Sequence, residues 1–229
     1  MQKDCLYGDD EDSAKCGALL PEGSSCHFEK DTCGWTNSTD TDIYWKRHRG
    51  PTLTNHTGPN YDHTTANDKG FYMYMDASDG AQWNRALMRS PLYPPTRLDV
   101  NDPKSPYYRM CKLRFFYHMY GVHVYQLILH VQEVVRGCQN CGRTYSEIWV
   151  KNLYLGTSRK PANVWERAIV TLPEITRSFR LEFEAIRAIR PYGDIALDDI
   201  SFSPECFSRG QLSCVYLTNR SVLFVEMGR

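Results

Sequence analysis

The chain has 229 residues, of which 27 are Lys or Arg and 27 are Asp or Glu, so its formal net charge is zero at neutral pH. A chain of this length can bury a full hydrophobic core, as one large β-sandwich or as two small domains. The balanced charge excludes a global attraction to nucleic acid or to an anionic membrane, so any binding depends on local surface features.

Nine cysteines and three N-glycosylation sequons, at Asn37, Asn55 and Asn219, indicate the secretory pathway. We therefore expect an extracellular or cell-surface glycoprotein. Neither an apolar signal-peptide core nor a run of about 20 apolar residues is present in the sequence. We expect a fragment, a trimmed product or an incomplete gene product of a larger protein, with any membrane attachment supplied by an anchor in that parent.

Residues 1–25 are acidic, rich in Gly and Ser, and poor in aliphatic side chains. Such a composition cannot build a core, so we expect the end of another module and a linker. The globular part begins at Cys26.

Aromatic and β-branched runs after Cys26 predict strands. They are Phe71–Asp76, Cys111–Gly121, Val124–Val134, Glu147–Leu155 and Ser178–Ile186. Ala162–Leu172 could form a short helix, but Trp165 and Ile169 favour a strand there as well. A succession of short strands separated by turns predicts an all-β fold, a two-sheet antiparallel β-sandwich or jelly roll.

Several motifs then follow one another in the order found in MAM domains. The first is CHFEKDTCGW from Cys26, later ones include KGFYMYMD and CKLRFFYHMYG, and the last is GDIALDDISF from Gly193. Residues 26–206 therefore resemble a MAM domain. The resemblance implies a disulfide-stapled jelly roll that binds or oligomerises at the cell surface without catalysis.

The resemblance also implies how four cysteines pair, which spacing alone leaves open. Cys26 is expected to bond Cys33, and Cys111 to bond Cys206. Residues 207–229 would then be an extension, either the start of a further module or a disordered tail. Cys214 lies there and leaves the cysteine count odd.

The segment DCLYGDDEDSAKC before Cys26 resembles the end of an LDL-receptor class A repeat. Tyr7 and Asp9 depart from that family's pattern, and the repeat's four earlier cysteines are absent. We therefore expect a remnant without an intact calcium cage. Because this class A-like segment directly precedes the MAM-like part, we expect a mosaic parent protein that contains both kinds of module.

Usual catalytic signatures, such as H-E-x-x-H, G-x-S-x-G and phosphate loops, are missing, so we expect no enzymatic activity. Cys138 and Cys141 form a C-x-x-C pair between strand-like runs in a Gly-rich stretch. Zinc would need two more ligands, and a redox site would need a helix after the pair. A local structural disulfide is the better interpretation.

Carboxylates in the first loop and in the last strand could converge on a cation. Glu29, Asp31 and Asp199 are the expected ligands, and jelly-roll modules like this one hold a structural ion in that place. Oxygen ligands favour calcium or sodium. The alternative is that Glu29 and Asp199 satisfy backbone N–H groups or an arginine.

Trp83 lies in the polar stretch GAQWNRA and is the candidate contact residue for a partner. Basic residues at 46–49 and at Arg187 and Arg190 could contact an acidic glycan, although a solvated face is the simpler interpretation. We expect the partner to be another protein or a second copy of the chain, with a glycan as a further option. The competing hypothesis is a substrate- or cargo-selecting module of a mosaic protease or endocytic receptor.

Overall fold

The computed structural model describes residues 20–134, 145–153 and 162–207. Eleven strands and one short 3-10 helix, Pro204–Cys206, lie in these ranges. The strands are β1 (Ser25–Cys26), β2 (Thr36–Asn37), β3 (Trp45–Arg49), β4 (Phe71–Met75), β5 (Arg85–Arg89), β6 (Lys112–Gly121), β7 (Val124–Glu133), β8 (Tyr145–Asn152), β9 (Glu166–Thr171), β10 (Phe179–Arg187) and β11 (Gly193–Phe202). Residues 162–172 thus contain a strand, as the sequence predicted.

The strands form two antiparallel sheets. The first has the order β3-β4-β11-β6-β9, with β1 also paired to β11, and the second has the order β2-β5-β10-β7-β8. This is the all-β, two-sheet jelly-roll sandwich expected from the sequence, and that prediction is confirmed. Within residues 20–134, 145–153 and 162–207, no helix is long and apolar enough to cross a membrane.

Alternation along the strands builds the core between the sheets. On β6, Leu113 and Phe115 are buried and point inward, and on β10 Leu181 and Phe183 do the same from the second sheet. The rings of Phe115 and Phe183 meet edge to face, 4.9 Å apart between centroids. Aromatic pairs of this kind add to the free energy gained from burial.

Two disulfides brace this sandwich, and they are the pairs that the resemblance implied. Cys26 bonds Cys33 across seven positions, and Cys111 bonds Cys206 across 95 positions. The second links the start of β6 to the residues just after β11. Cys138, Cys141 and Cys214 lie outside the described residues.

A second buried layer lies on the outer side of the first sheet. Tyr72, Tyr74 and Ala196 are buried there, and Trp165 packs against them. Aromatic character at a strand position predicts that Trp165 fills the main core, and its place in the outer layer corrects that prediction. The connection 50–70 contacts this layer, since the Trp165 indole donates to the Tyr61 carbonyl and the Tyr72 hydroxyl to the Gly50 carbonyl.

An irregularity in β11 corrects the expected alternation of its last residues. The register with β6 shifts between Asp198 and Ser201, and Asp199 has a positive φ of 50°. Because the extra residue resets the alternation, Leu197 and Ile200 both enter the main core. Asp198 is left buried on the outer side.

Candidate binding surfaces

Exposed apolar side chains gather at the end of the sandwich where β6 turns into β7. The exposed members are Trp83, Val122, Ile189 and Tyr192. The half-buried Tyr125 packs beside Trp83, and we call these five residues the Trp83 end. The Trp83 and Tyr125 rings meet edge to face at 5.2 Å. Sequence reasoning found Trp83 and missed the other four, because they come from separate turns that only the fold brings together.

Trp83 is held firmly in its loop. Its φ is 68°, a left-handed conformation that is costly for a large side chain. Its backbone N–H donates to the Arg187 carbonyl, and the Arg187 N–H donates to the Asn84 carbonyl. Strained backbone of this kind persists only where the surroundings fix it.

The basic residues that the sequence marked for glycan contact mostly have internal roles. The buried Arg187 guanidinium donates to the carbonyls of Ala77 and Ala188, so it ties two loops of the Trp83 end together. Lys46 bonds Asp76 at 3.2 Å and Asp79 at 2.8 Å.

Arg47 occupies the loop in which a cation was expected. Its guanidinium donates to the carbonyls of Phe28 and Glu29, at 2.7 and 2.8 Å, and lies 3.6 Å from the centre of the Phe71 ring. A side-chain cation thus binds the backbone oxygens of this loop.

The three predicted metal ligands have protein partners instead. Glu29 accepts the Phe71 N–H, Asp31 accepts the Cys33 N–H, and Asp199 bonds His63 and Thr64. Among the residues placed by the structure, no three His, Cys, Asp or Glu side chains are arranged to hold a metal. The expected set is therefore not assembled, because the β11 irregularity directs Asp199 toward the 50–70 connection rather than the first loop.

Buried carboxylates anchor that 50–70 connection. Asp194 accepts the Thr57 hydroxyl at 2.7 Å and the Ala77 N–H at 2.9 Å. Asp198 accepts the backbone N–H groups of His63 and Thr64. Burial, with the neighbouring Asp199 charge, raises the pKa of Asp198 to about 7.

The outer face of the second sheet is polar, and charged side chains on it pair with one another. Glu182 bonds Arg89, and Glu184 bonds His130 at 2.8 Å and Arg85 at 3.4 Å. The His130 hydrogen bond is the main reason that the pKa of Glu184 lies below its usual value, against the opposing effect of burial. Because these charged side chains already form ion pairs with one another, they are poorly suited to bind a charged partner.

Two of the three sequon asparagines fall in described parts of the chain. Asn55 is exposed in a turn, which suits glycan attachment. Asn37 is also exposed, yet its amide donates to the Trp45 carbonyl and its oxygen accepts the Trp45 N–H. Asn219 lies outside the described residues, as does the segment that resembles a class A repeat, so glycosylation stays a prediction.

Comparison with known families decides the assignment. The family description "MAM domain, meprin/A5/mu" matches residues 26–207, from the first disulfide to the end of the described sandwich. The chain belongs to the MAM domain family. Its disulfides and two-sheet architecture are those expected for this family from the motifs.

Two curated relatives are long proteins. The chain is 31% identical over 185 residues to MAM domain-containing protein 2 of Homo sapiens, covering 80% of this chain and 23% of that protein. It is 30% identical over 190 residues to human MAM domain-containing glycosylphosphatidylinositol anchor protein 1, covering 80% and 17%. The MAM match thus spans less than a quarter of either relative.

A solved structure shares the fold at low sequence identity. The K1 cleaved adhesin domain of Lys-gingipain from Porphyromonas gingivalis W83 superposes with a TM-score of 0.50 at 14% identity. The superposition covers 78% of this chain and 96% of that one.

Proposed function

We propose that this MAM domain is a non-catalytic, extracellular binding module for cell adhesion or receptor assembly, and that its contact surface is the Trp83 end. The contact between the exposed Trp83 ring and the half-buried Tyr125 ring is the observation that carries the proposal. Trp and Tyr dominate the binding energy of protein interfaces because each buries a large area for little loss of side-chain freedom.

The rigidity of the surface supports the same role. Arg187 ties the β4–β5 and β10–β11 connections together, so the side chains of the Trp83 end are presented in a fixed arrangement. A surface that is already ordered loses less conformational entropy on binding. The partner expected here is a protein surface, either a second copy or a different chain.

Location outside the cell is supported by the disulfides, which persist in oxidising compartments. A hydrolytic role for Asp198 and Asp199 is not favoured by the geometry. Asp198 is completely buried, and both carboxylates hold the 50–70 connection.

The test is self-association, measured by sedimentation equilibrium on the full chain secreted from a eukaryotic host. A Cys214→Ser background removes crosslinking through that thiol. We expect Trp83→Ala to weaken association about 10- to 30-fold, as loss of a central aromatic contact does. Leu53→Ala is the matched control, because Leu53 is 75% exposed and lies on the 50–70 connection.

If the wild-type chain is monomeric, the same two variants are compared for saturable binding to cell surfaces. Equal binding by the wild type and Trp83→Ala in both assays would contradict the proposed surface. An equal loss in Trp83→Ala and Leu53→Ala would do so as well.

A further inference from the structure

The outward face of β6 and β9 carries a row of basic side chains that are brought together only by strand pairing. On β6, Lys112 and Arg114 alternate with the buried Leu113, so they point away from the core. On β9, Arg167 precedes the buried Ala168 and also points outward. Arg109 lies three positions before β6, and we call the set Arg109, Lys112, Arg114 and Arg167 the basic strip.

Strand register brings these charges together. Lys112 pairs with Thr171, Arg114 with Ile169, and Phe116 with Arg167. Side chains on one face of a strand repeat about every 7 Å, and paired residues lie about 5 Å apart. The charges from Lys112 to the level of Arg167 therefore extend over about 13 Å.

None of these four cations has an ion pair within the described ranges. The Lys112 ammonium donates to the Thr171 hydroxyl at 2.5 Å, and no side-chain partner is found for the other three among those residues. The Asp198 and Asp199 carboxylates of the neighbouring strand β11 already bond the 50–70 connection. A chain without net charge thus has a local excess of positive charge here.

One end of the strip meets a shallow cleft, wide open to solvent, with a volume of about 410 Å³. Its lining residues are Asn101, Tyr108, Arg109, Thr171, Leu172 and Pro173. Tyr108 is 42% exposed, and Ile169, further along the strip, is 53% exposed. The cleft therefore combines an aromatic ring, an amide, a hydroxyl and a guanidinium around a space large enough for a sugar ring.

We propose that the cleft and the basic strip bind a linear anionic polysaccharide, with one sugar in the cleft and its sulfate or carboxylate groups along the strip. Guanidinium groups bind such oxyanions through paired hydrogen bonds, and three of the four cations are arginines. This site lies on a different surface from the Trp83 end and goes beyond the proposed protein contact.

The experiment measures binding of the full chain to defined oligosaccharides by calorimetry at low and at physiological salt. A heparin-derived octasaccharide supplies sulfate and carboxylate, and a hyaluronan octasaccharide supplies carboxylate alone. We expect saturable binding that weakens with salt, because displaced counterions accompany such contacts. Binding of the heparin fragment alone assigns the strip to sulfate, and binding of both assigns it to carboxylate as well.

Variants locate the site. The double change Arg114→Gln and Arg167→Gln should weaken binding about tenfold or more and flatten its salt dependence. Arg114→Lys keeps the charge but loses the paired hydrogen bonds, so it should cause a smaller loss. Arg190→Gln is the control: it removes the same charge from an exposed residue of the β10–β11 turn and should change affinity less than about twofold.

Three results would overturn the proposal. They are no saturable binding of either octasaccharide, an equal loss in the Arg190 control, and tighter binding to phosphatidylserine vesicles than to both sugars. Circular dichroism of each variant separates loss of binding from loss of fold.

Discussion

The space between the two sheets and the layer beneath the 50–70 connection are both buried, but different chemistry holds them. Between the sheets, apolar side chains such as Phe115 and Phe183 interdigitate and stabilise the layer by packing. Under the connection, carboxylates bind hydroxyl and backbone N–H groups, as Asp194 does with Thr57. The first layer loses stability when volume is removed, and the second when a single polar partner is removed.

The largest effect is expected from Phe183→Ala in the main core. The ring is fully buried and contacts Trp35 and Phe115, so its removal leaves a cavity. We expect the free energy of unfolding to fall by about 3–5 kcal/mol in urea denaturation. Leu98→Ala, at a side chain 71% exposed, should change it by less than about 0.5 kcal/mol. Similar losses in both variants would remove the distinction between core and surface.

Thr57→Val tests the polar layer at constant volume. The change deprives the buried Asp194 of a hydroxyl donor, which costs about 1–3 kcal/mol. Hydrogen exchange should show faster opening of residues 50–70, with β6, β7 and β10 unaffected. Thr39→Val, at an exposed position, is the matched control. Uniformly faster exchange through both sheets would show that the connection is not a separate layer.

His118 gives the polar layer a pH dependence. Burial lowers the pKa of His118 from its ordinary value of 6.5 to about 4, so the folded state holds the neutral ring at neutral pH. The neutral ring's contribution to stability is complete at pH values above the pKa of His118 in the unfolded chain. It is lost as the pH falls toward the pKa of His118 in the folded state. The free energy of unfolding of the wild type, compared with that of His118→Phe, should fall by about 1–2 kcal/mol between pH 7.5 and pH 5. A constant difference in the free energy of unfolding across that range would contradict this expectation.

The smallest effect is expected at the surface end. Trp83→Gly relieves the left-handed backbone but loses the contact with Tyr125, and each change is worth about 1 kcal/mol. Thermal unfolding should therefore shift little, whereas association should weaken as strongly as in Trp83→Ala. A large loss of stability would mean that Trp83 is part of the packing rather than a contact residue.

The sequence predicted the first layer well because alternation is a local property. Leu113 and Phe115 lie two positions apart on β6, so they point to the same face of the sheet, and this spacing is visible in the sequence. The motifs at the two ends of the domain implied the disulfide pairing. Trp165 was misplaced because its aromatic character fits either buried layer. Only the fold shows that it packs outside the first sheet.

The candidate sites were less predictable because they depend on partners distant in sequence. Lys46 and Arg114 look alike as basic residues in strands, yet one is paired with Asp76 and Asp79 and the other has no ion pair in the described segments. The three predicted metal ligands are not grouped among the described residues, since the left-handed residue Asp199 turns its carboxylate toward a different loop. Neither the ion pairing of a basic strand residue nor the direction of the Asp199 carboxylate can be predicted from local residue spacing.

The two disulfides also limit how far the module can lengthen under mechanical load. If force enters at Cys26 and leaves at Cys206, the bonds to Cys33 and Cys111 carry it past residues 27–32 and 112–205. Only the chain between Cys33 and Cys111 can be drawn out, to about 270 Å at roughly 3.5 Å per residue. With its disulfides intact, a stretched MAM module of this kind therefore keeps β6 to β11 inside one covalent loop that bears no tension.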